Sequence, residues 1–165
     1  MGFPKNSRQY QALGRAGSKA TDNPVSYAPY QPVAGENGVT AGRFAWKTAG
    51  GNNSEVYNPD TYLNTGTGLP AGIVSAESIQ TYLNYDEEAS MLIPAGQGVM
   101  VAETGDWFIQ TKTEASAGQK VFADLSTGEV STAAAGSTVE GAVETEWVVS
   151  KGGAAQDIII ISKRG

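Results

Sequence analysis

The chain has neither cysteine nor histidine among its 165 residues. Without cysteine there is no disulfide framework and no thiol nucleophile, and zinc sites built on Cys or His ligands are excluded. Without histidine the chain also lacks the commonest general base near neutral pH, so Ser-His-Asp triads are excluded. Any catalysis would depend on carboxylates, Lys, Tyr, Ser or Thr. We therefore expect a protein that is not an enzyme and that needs no cofactor.

Long apolar runs are absent as well. No stretch of about 18 apolar residues occurs, so we expect no transmembrane helix. The first residues, Met1 to Arg8, lack the apolar core of a secretory signal. We therefore expect no membrane partner.

Positive charge is missing from the middle of the chain, where no Lys or Arg lies between Lys47 and Lys112 but eight acidic residues do. The formal net charge is −6, and residues 1–20 carry four basic residues and no acid. Nucleic-acid phosphates are usually met by clustered Lys and Arg, so we expect no nucleic-acid partner. A basic N-terminal segment on an otherwise acidic chain indicates a tail that docks on an acidic protein surface.

Residues 1–37 show no sustained hydrophobic periodicity and hold four of the seven prolines, which favours extended backbone. One interpretation is a disordered tail. The other is an extended, irregular arm that orders on a partner, or that crosses to a neighbouring subunit. Tyrosine and arginine are enriched at protein interfaces. The candidate anchors of this arm are Arg8, Tyr10, Arg15, Lys19, Tyr27 and Tyr30.

Residues 38–165 are predicted to form one β-rich body, with its core module at about 69–162. Short runs of β-branched and aromatic residues alternate there with turn residues, which is typical of antiparallel strands. An Ala-Gly pair recurs at 41–42, 71–72, 95–96, 117–118 and 135–136, each time just before an apolar run. Such pairs predict tight turns between strands. The fold class is therefore all-β, with a small antiparallel barrel or sandwich.

Several segments carry more specific predictions. Phe44 and Trp46 alternate with polar or small residues and are expected to share one buried face. The segment 77–85 suits either a helical turn or a strand, and we favour the strand. Four consecutive isoleucines, Ile158, Ile159, Ile160 and Ile161, predict a strand covered on both faces and hence a subunit interface.

Candidate chemistry is sparse. The acidic cluster 86–88 lacks the spacing of a calcium loop, and we interpret it as solvated. The pairs Glu103/Asp106 and Glu144/Glu146 could serve glycoside hydrolysis, but outward-facing charges on strands explain them better. Each of the three tryptophans lies in an apolar run, which favours core packing over a sugar-stacking platform. We therefore expect no catalytic, cofactor or metal site.

A series of small motifs resembles the decoration or cement proteins of tailed-bacteriophage heads. The motifs are Ile93–Val101, Gly105–Ile109, Ala117–Asp124, Ser126–Glu129 and Val139–Ala142. The resemblance implies a β-barrel or β-tulip body, no catalytic residue, and a homotrimer on the outer surface of the capsid, assembled in the host cytoplasm. It also implies that extended termini bridge subunits of the major capsid protein and so stabilise the head.

A second hypothesis comes from a different class of protein. A carbohydrate- or receptor-binding β domain of a phage tail or adhesin would also be all-β and free of catalytic residues. It would have to expose its tryptophans to stack on a ligand. The exposure of Trp46, Trp107 and Trp147 therefore distinguishes the two hypotheses.

Overall fold

The computed structural model describes residues 13–29, 32–48, 59–78 and 91–165. Within these ranges the regular structure is β-strand, apart from one 3-10 turn at Ala76–Ser78. This confirms the predicted all-β class. No helix in the described part of the chain has the length and apolar character needed to cross a membrane.

The described ranges contain twelve strands. They are β1 (Val33–Ala34), β2 (Val39–Thr40), β3 (Phe44–Thr48), β4 (Thr61–Leu63), β5 (Gly72–Val74), β6 (Leu92–Ile93), β7 (Val101–Ala102), β8 (Gly105–Gln110), β9 (Lys120–Asp124), β10 (Val130–Ala133), β11 (Ala142–Lys151) and β12 (Ile158–Lys163). The first sheet has the order β1-β4-β3-β5-β7, and the second has the order β10-β9-β11-β12-β8. Strands β2 and β6 form a separate pair. Neighbours are antiparallel except for the parallel pair β1 and β4.

The first sheet closes on itself through the chain that precedes β1. Tyr27 bridges Ala102 and Val33 bridges Gly98, both in antiparallel fashion. The Ala28 amide donates to the Val101 carbonyl at 2.8 Å, which continues the same ladder. Residues 26–29 and 32–34 therefore pair irregularly along one edge of residues 97–103, while β5 occupies the other edge of β7.

The second sheet curls in a similar way. Thr111, just after β8, makes a parallel bridge to Val130 on the far edge strand β10. The Lys112 amide donates to the Val130 carbonyl at 2.7 Å. The edge of β8 that faces away from β12 is paired as well. The Gly17 amide donates to the Phe108 carbonyl, and the Phe108 amide donates to the Ser18 carbonyl. Pairing at these edges removes templates for unwanted strand addition.

Alternate residues of the first sheet face two different cores. Phe44 and Trp46 join the larger core, which fills the second sheet around Trp107 and Trp147. Ala45, between them, packs in the smaller core with Tyr62 and Val74. The prediction that Phe44 and Trp46 share a buried face is confirmed. The first sheet thus forms a wall that is apolar on both sides.

The Ala-Gly pairs are turns at four of the five predicted places. Gly42, Gly96, Gly118 and Gly136 have φ of 76°, 78°, 89° and 75°, the left-handed region that glycine enters at little cost. The prediction of a turn at 71–72 is wrong. Gly72 lies inside β5, where an added Cβ would stand 2.2 Å from the Ala102 carbonyl oxygen. Glycine is present there because two strands approach closely.

Two predictions concern residues only partly described. Of the segment 77–85, the first two residues end the 3-10 turn, and the predicted strand beyond them lies outside the described residues. The acidic cluster 86–88 also lies outside them.

Candidate functional site

The described part of the predicted arm is hydrogen-bonded to the body at several points. Lys19 forms an antiparallel bridge with Trp107, and the Ala20 amide donates to the Asp106 carbonyl at 2.9 Å. Further along, residues 26–29 and 32–34 complete the first sheet. Residues 17–29 and 32–34 therefore run beside residues 97–108 and connect the two sheets. Arg8, Tyr10 and Tyr30 lie outside the described residues.

The other three predicted anchors differ in exposure. Arg15 and Lys19 are exposed. The Lys19 ammonium stands 5.9 Å above the centre of the Tyr27 ring, a cation–π geometry. Tyr27 in turn packs edge-on against Trp107, with ring centres 6.2 Å apart. Tyr27 thus anchors the segment to its own body, while the charges of Arg15 and Lys19 face solvent.

Asp106 is the strongest polar anchor of this segment. Its carboxylate oxygen Oδ2 accepts hydrogen bonds from Thr21 Oγ1 at 2.6 Å and from Asn23 Nδ2 at 2.5 Å. The Arg164 guanidinium lies 3.4 Å from both carboxylate oxygens. Burial raises the pKa of Asp106, but hydrogen bonds from Ser162, Thr21 and Asn23 and the Arg164 charge outweigh burial and lower the pKa to about 2.

Asp106 does point outward from the second sheet, opposite Ser162 and away from the side of Trp107, but Thr21, Asn23 and Arg164 cover it. The residue is only 3% exposed. A carboxylate so deeply buried is tolerated only when it is paired and hydrogen-bonded. Its partners come from both terminal regions of the chain, and no local pattern around Gly105-Asp106 could have indicated them.

The isoleucine strand lies inside the second sheet, between β11 and β8. Ile159 and Ile161 are 0% exposed and belong to the chain's own core. Ile158 and Ile160 point to the opposite, outer face and are half-buried. Of the four predicted interface residues, these two remain available for contact with another subunit.

Two further apolar residues share that outer face. Phe108 stands directly opposite Ile160, and Val148 stands opposite Ser162, so both have the same orientation as Ile160. Both are half-buried. We call Phe108, Val148, Ile158 and Ile160 the outer patch.

A cleft of about 290 Å³ opens between the turn at 40–43 and residues 110–112. Arg43 and Lys112 both bind Glu129 there, at 3.0 and 2.7 Å, and Lys112 lies 3.8 Å from Asp124. The Lys112 hydrogen bond is the main reason why the pKa of Glu129 is lowered. Two cations and two anions compensate each other, so the cluster joins the two sheets and presents no charged site.

The three tryptophans are buried, with exposures of 5%, 0% and 3% for Trp46, Trp107 and Trp147. The predicted core packing is confirmed, and they form no stacking platform. The carboxylates of Glu144 and Glu146 are engaged by the Gly136 amide and by Lys163. In the described ranges no three Asp or Glu side chains gather closely enough to hold a metal ion.

Comparison with known proteins bears on this arrangement of sheets and surfaces. The family of the XM1 gp53 minor capsid protein matches residues 3–163, almost the whole chain. The chain belongs to this family. The resemblance to structural proteins of phage heads is thereby confirmed. No curated protein matches the chain.

A solved structure supports the same assignment at the level of the fold. One chain of "The capsid of Myoviridae Phage XM1" superposes with a TM-score of 0.62 at 17% identity. The match covers 98% of this chain and 97% of that chain. As a member of the minor capsid protein family, the chain is a structural protein of the virion capsid and associates with other capsid components.

Proposed function

We propose that this family member is a decoration, or cement, protein that binds the outside of a phage head as a homotrimer. It would bridge subunits of the major capsid protein and so stabilise the head without catalysis. One observation carries the proposal: a segment that presents Arg15 and Lys19 to solvent is hydrogen-bonded along an otherwise acidic body. Bridging needs both a rigid body and charges that a partner can reach.

The basic segment is the proposed capsid contact. Its backbone is hydrogen-bonded to β8, and the side chains of Asn23 and Tyr27 contact Asp106 and Trp107. Little ordering of the segment is therefore required when it binds. Preorganised contacts retain more of their binding energy. Arg8, Tyr10 and Tyr30 are proposed to contribute to the same contact. A trimer presents three such segments at once, and multivalency turns modest contacts into strong attachment.

The outer patch is the proposed contact between copies. Ile158 and Ile160 supply apolar surface on a strand that is already paired on both edges, so association would bury side chains and leave the sheet unchanged. The acidic remainder keeps free trimers apart before they dock. The alternative of a sugar-binding domain has no support from the tryptophans, since none is exposed.

Co-sedimentation with expanded, empty phage heads tests the capsid contact. We expect Arg15→Glu and Lys19→Glu each to weaken binding by about tenfold, because a basic contact becomes acidic. Arg15→Lys and Lys19→Arg are the matched controls, since they keep the positive charge at the same two positions. Equal binding by the charge-reversed and the charge-conserving variants would contradict the proposal. The native mass of the free protein tests the trimer, which should be three times 17.1 kDa.

A further inference from the structure

The cleft between the turn at 40–43 and residues 110–112 combines an apolar lining with exposed amide groups. Its apolar residues are buried or half-buried, and they are Ala16, Ala41, Met91 and Val130. Methionine adapts its shape to different contact groups. Sites for small molecules usually start at about 300 Å³, and this cleft of about 290 Å³ lies at that lower limit. It therefore has room for one apolar side chain of a partner.

The ions of the cleft are paired with one another. Glu129 binds both Arg43 and Lys112, and Lys112 also lies near Asp124. A charged group that entered the cleft would have to compete with one of these pairs, whereas an uncharged group leaves each ion with its partner. The cleft therefore favours an uncharged side chain.

Gln156 at the edge of the cleft has a strained backbone. Its φ is 69°, and every other described residue with a positive φ is a glycine. The Gln156 amide donates to the Thr111 carbonyl, and its carbonyl accepts from Gln110 Nε2, but its side chain forms no hydrogen bond with the described residues. Glycine would make the same backbone contacts without strain. Strain that brings no benefit to the fold is typical of binding sites.

The side-chain amides of Gln110 and Gln156 are suited to the backbone of a peptide. Both residues are exposed and line the same cleft. A carboxamide has a donor and an acceptor, so it can bind the N–H or the C=O of an extended segment. Because side chains alternate along such a segment, one of them can point into the apolar lining while the next points away from it.

Arg15 connects the cleft with the proposed capsid contact. It precedes Ala16 of the cleft lining, is exposed, and takes part in none of the ion pairs among the described residues. Its charge favours an acidic residue in a partner. The cleft therefore adjoins the basic segment that is proposed to meet the capsid.

We propose that the cleft binds an extended segment of a major capsid protein subunit. One medium-sized apolar side chain of that segment enters the cleft, the amides of Gln110 and Gln156 bind its backbone, and an acidic residue beside it pairs with Arg15. This names the chemistry that the proposed capsid contact recognises, so it rests on the proposed function.

Substitutions of Gln156 separate binding from stability. Gln156→Gly and Gln156→Ala both remove the side chain, and each should weaken co-sedimentation with expanded, empty phage heads by about fivefold. Their stabilities should differ, because glycine relieves the strain and alanine keeps it. Gln156→Gly should therefore have the higher thermal unfolding midpoint of the two. Gln156→Asn keeps an amide at a position that asparagine tolerates, and it should recover part of the binding.

The absence of native cysteine allows a footprint of the cleft as well. With about nine-tenths of the protein bound to heads, labelling of a Met91→Cys thiol should be about tenfold slower than in the free protein. Leu92→Cys is the matched control, since Leu92 is the next residue, is 48% exposed and does not line the cleft. Its labelling rate should not change on binding.

The outcomes distinguish this inference from the proposed function. The inference is overturned if Gln156→Gly binds heads as well as the unsubstituted chain does, or if Met91→Cys is labelled equally fast on heads and in solution. Equal slowing at Met91→Cys and Leu92→Cys also overturns it, because the whole surface would then be covered without use of the cleft. Each of these results leaves the decoration role standing. Failure of the unsubstituted chain to sediment with heads overturns both.

Discussion

Asn23 donates a hydrogen bond to Asp106 at 2.5 Å, although 83 positions separate the two residues in the chain. Thr21 binds the same carboxylate oxygen. The start of β8 thus holds the N-terminal segment at the point where it passes from the second sheet to the first.

The first prediction concerns acid stability. The folded-state pKa of Asp106 is about 2, below its ordinary value of 3.8. The stabilisation is therefore fully present above about pH 4 and is lost as the pH falls from there through 2. It amounts to about 2 kcal/mol. Thermal unfolding should show Asp106→Asn to be less stable than the unsubstituted chain at pH 7, with the difference vanishing near pH 2. A difference that stays constant with pH would contradict this assignment.

The second prediction compares two glycines with similar backbone angles. Gly128 (φ 68°) and Gly136 (φ 75°) are both left-handed, but an added Cβ at Gly128 would lie 2.3 Å from the Phe44 carbonyl oxygen, and one at Gly136 would meet nothing. We expect Gly136→Ala to cost about 1 kcal/mol from backbone strain alone. Gly128→Ala should cost about 3 kcal/mol or more, because β3 must also move. Urea unfolding of both variants measures this. Equal losses of stability in the two variants would show that the close contact between the Gly128→Ala Cβ and the Phe44 carbonyl oxygen is relieved without a cost in free energy.

The third prediction addresses the ion cluster between the sheets. Glu129→Gln removes the partner of both Arg43 and Lys112. Because those cations are 35% and 46% exposed, solvent screening limits the loss to about 1 kcal/mol or less. The loss should shrink further in 1 M salt. Glu140→Gln, at an exposed position, is the control and should leave the unfolding midpoint unchanged. A loss that does not depend on salt would indicate packing as its cause.

The fourth prediction uses the intrinsic fluorescence. With Trp46, Trp107 and Trp147 buried, emission should be at short wavelength and acrylamide should quench it weakly. Mono- and oligosaccharides should leave it unchanged. Quenching by a sugar that saturates with concentration would favour the sugar-binding alternative over a capsid role.

Much of the fold could be predicted from local pattern. The alternation of Phe44, Ala45 and Trp46 and the left-handed glycines at 96, 118 and 136 are short-range signals, and the structure confirms both. The role of Gly72 could not be predicted in this way, because its small size allows the close approach of Ala102, thirty positions later in the chain. A glycine chosen for close packing has the same sequence context as one chosen for a turn.

The surfaces were harder to predict, for a related reason. The isoleucine run 158–161 indicated a strand with two apolar faces, but only the sheet order shows that Ile159 and Ile161 face the chain's own core. The prolines and the lack of periodicity in residues 1–37 suggested an arm. The pairing of its described part with residues 97–108 depends on partners that no local window contains. The basic character of Arg15 and Lys19 was visible in the sequence, but their support by Asp106 and Trp107 was not.

The pairing of residues 17–29 and 32–34 with residues 97–108 also determines the order in which the protein can be completed. At 5–20 residues per second, roughly 4 to 17 s pass between synthesis of Asn23 and synthesis of Asp106. For nearly all of that interval the first sheet is incomplete, since β7 is made only shortly before Asp106. Contacts so distant in sequence also slow folding after release. The first part of the body to leave the ribosome is therefore among the last to be fixed in place.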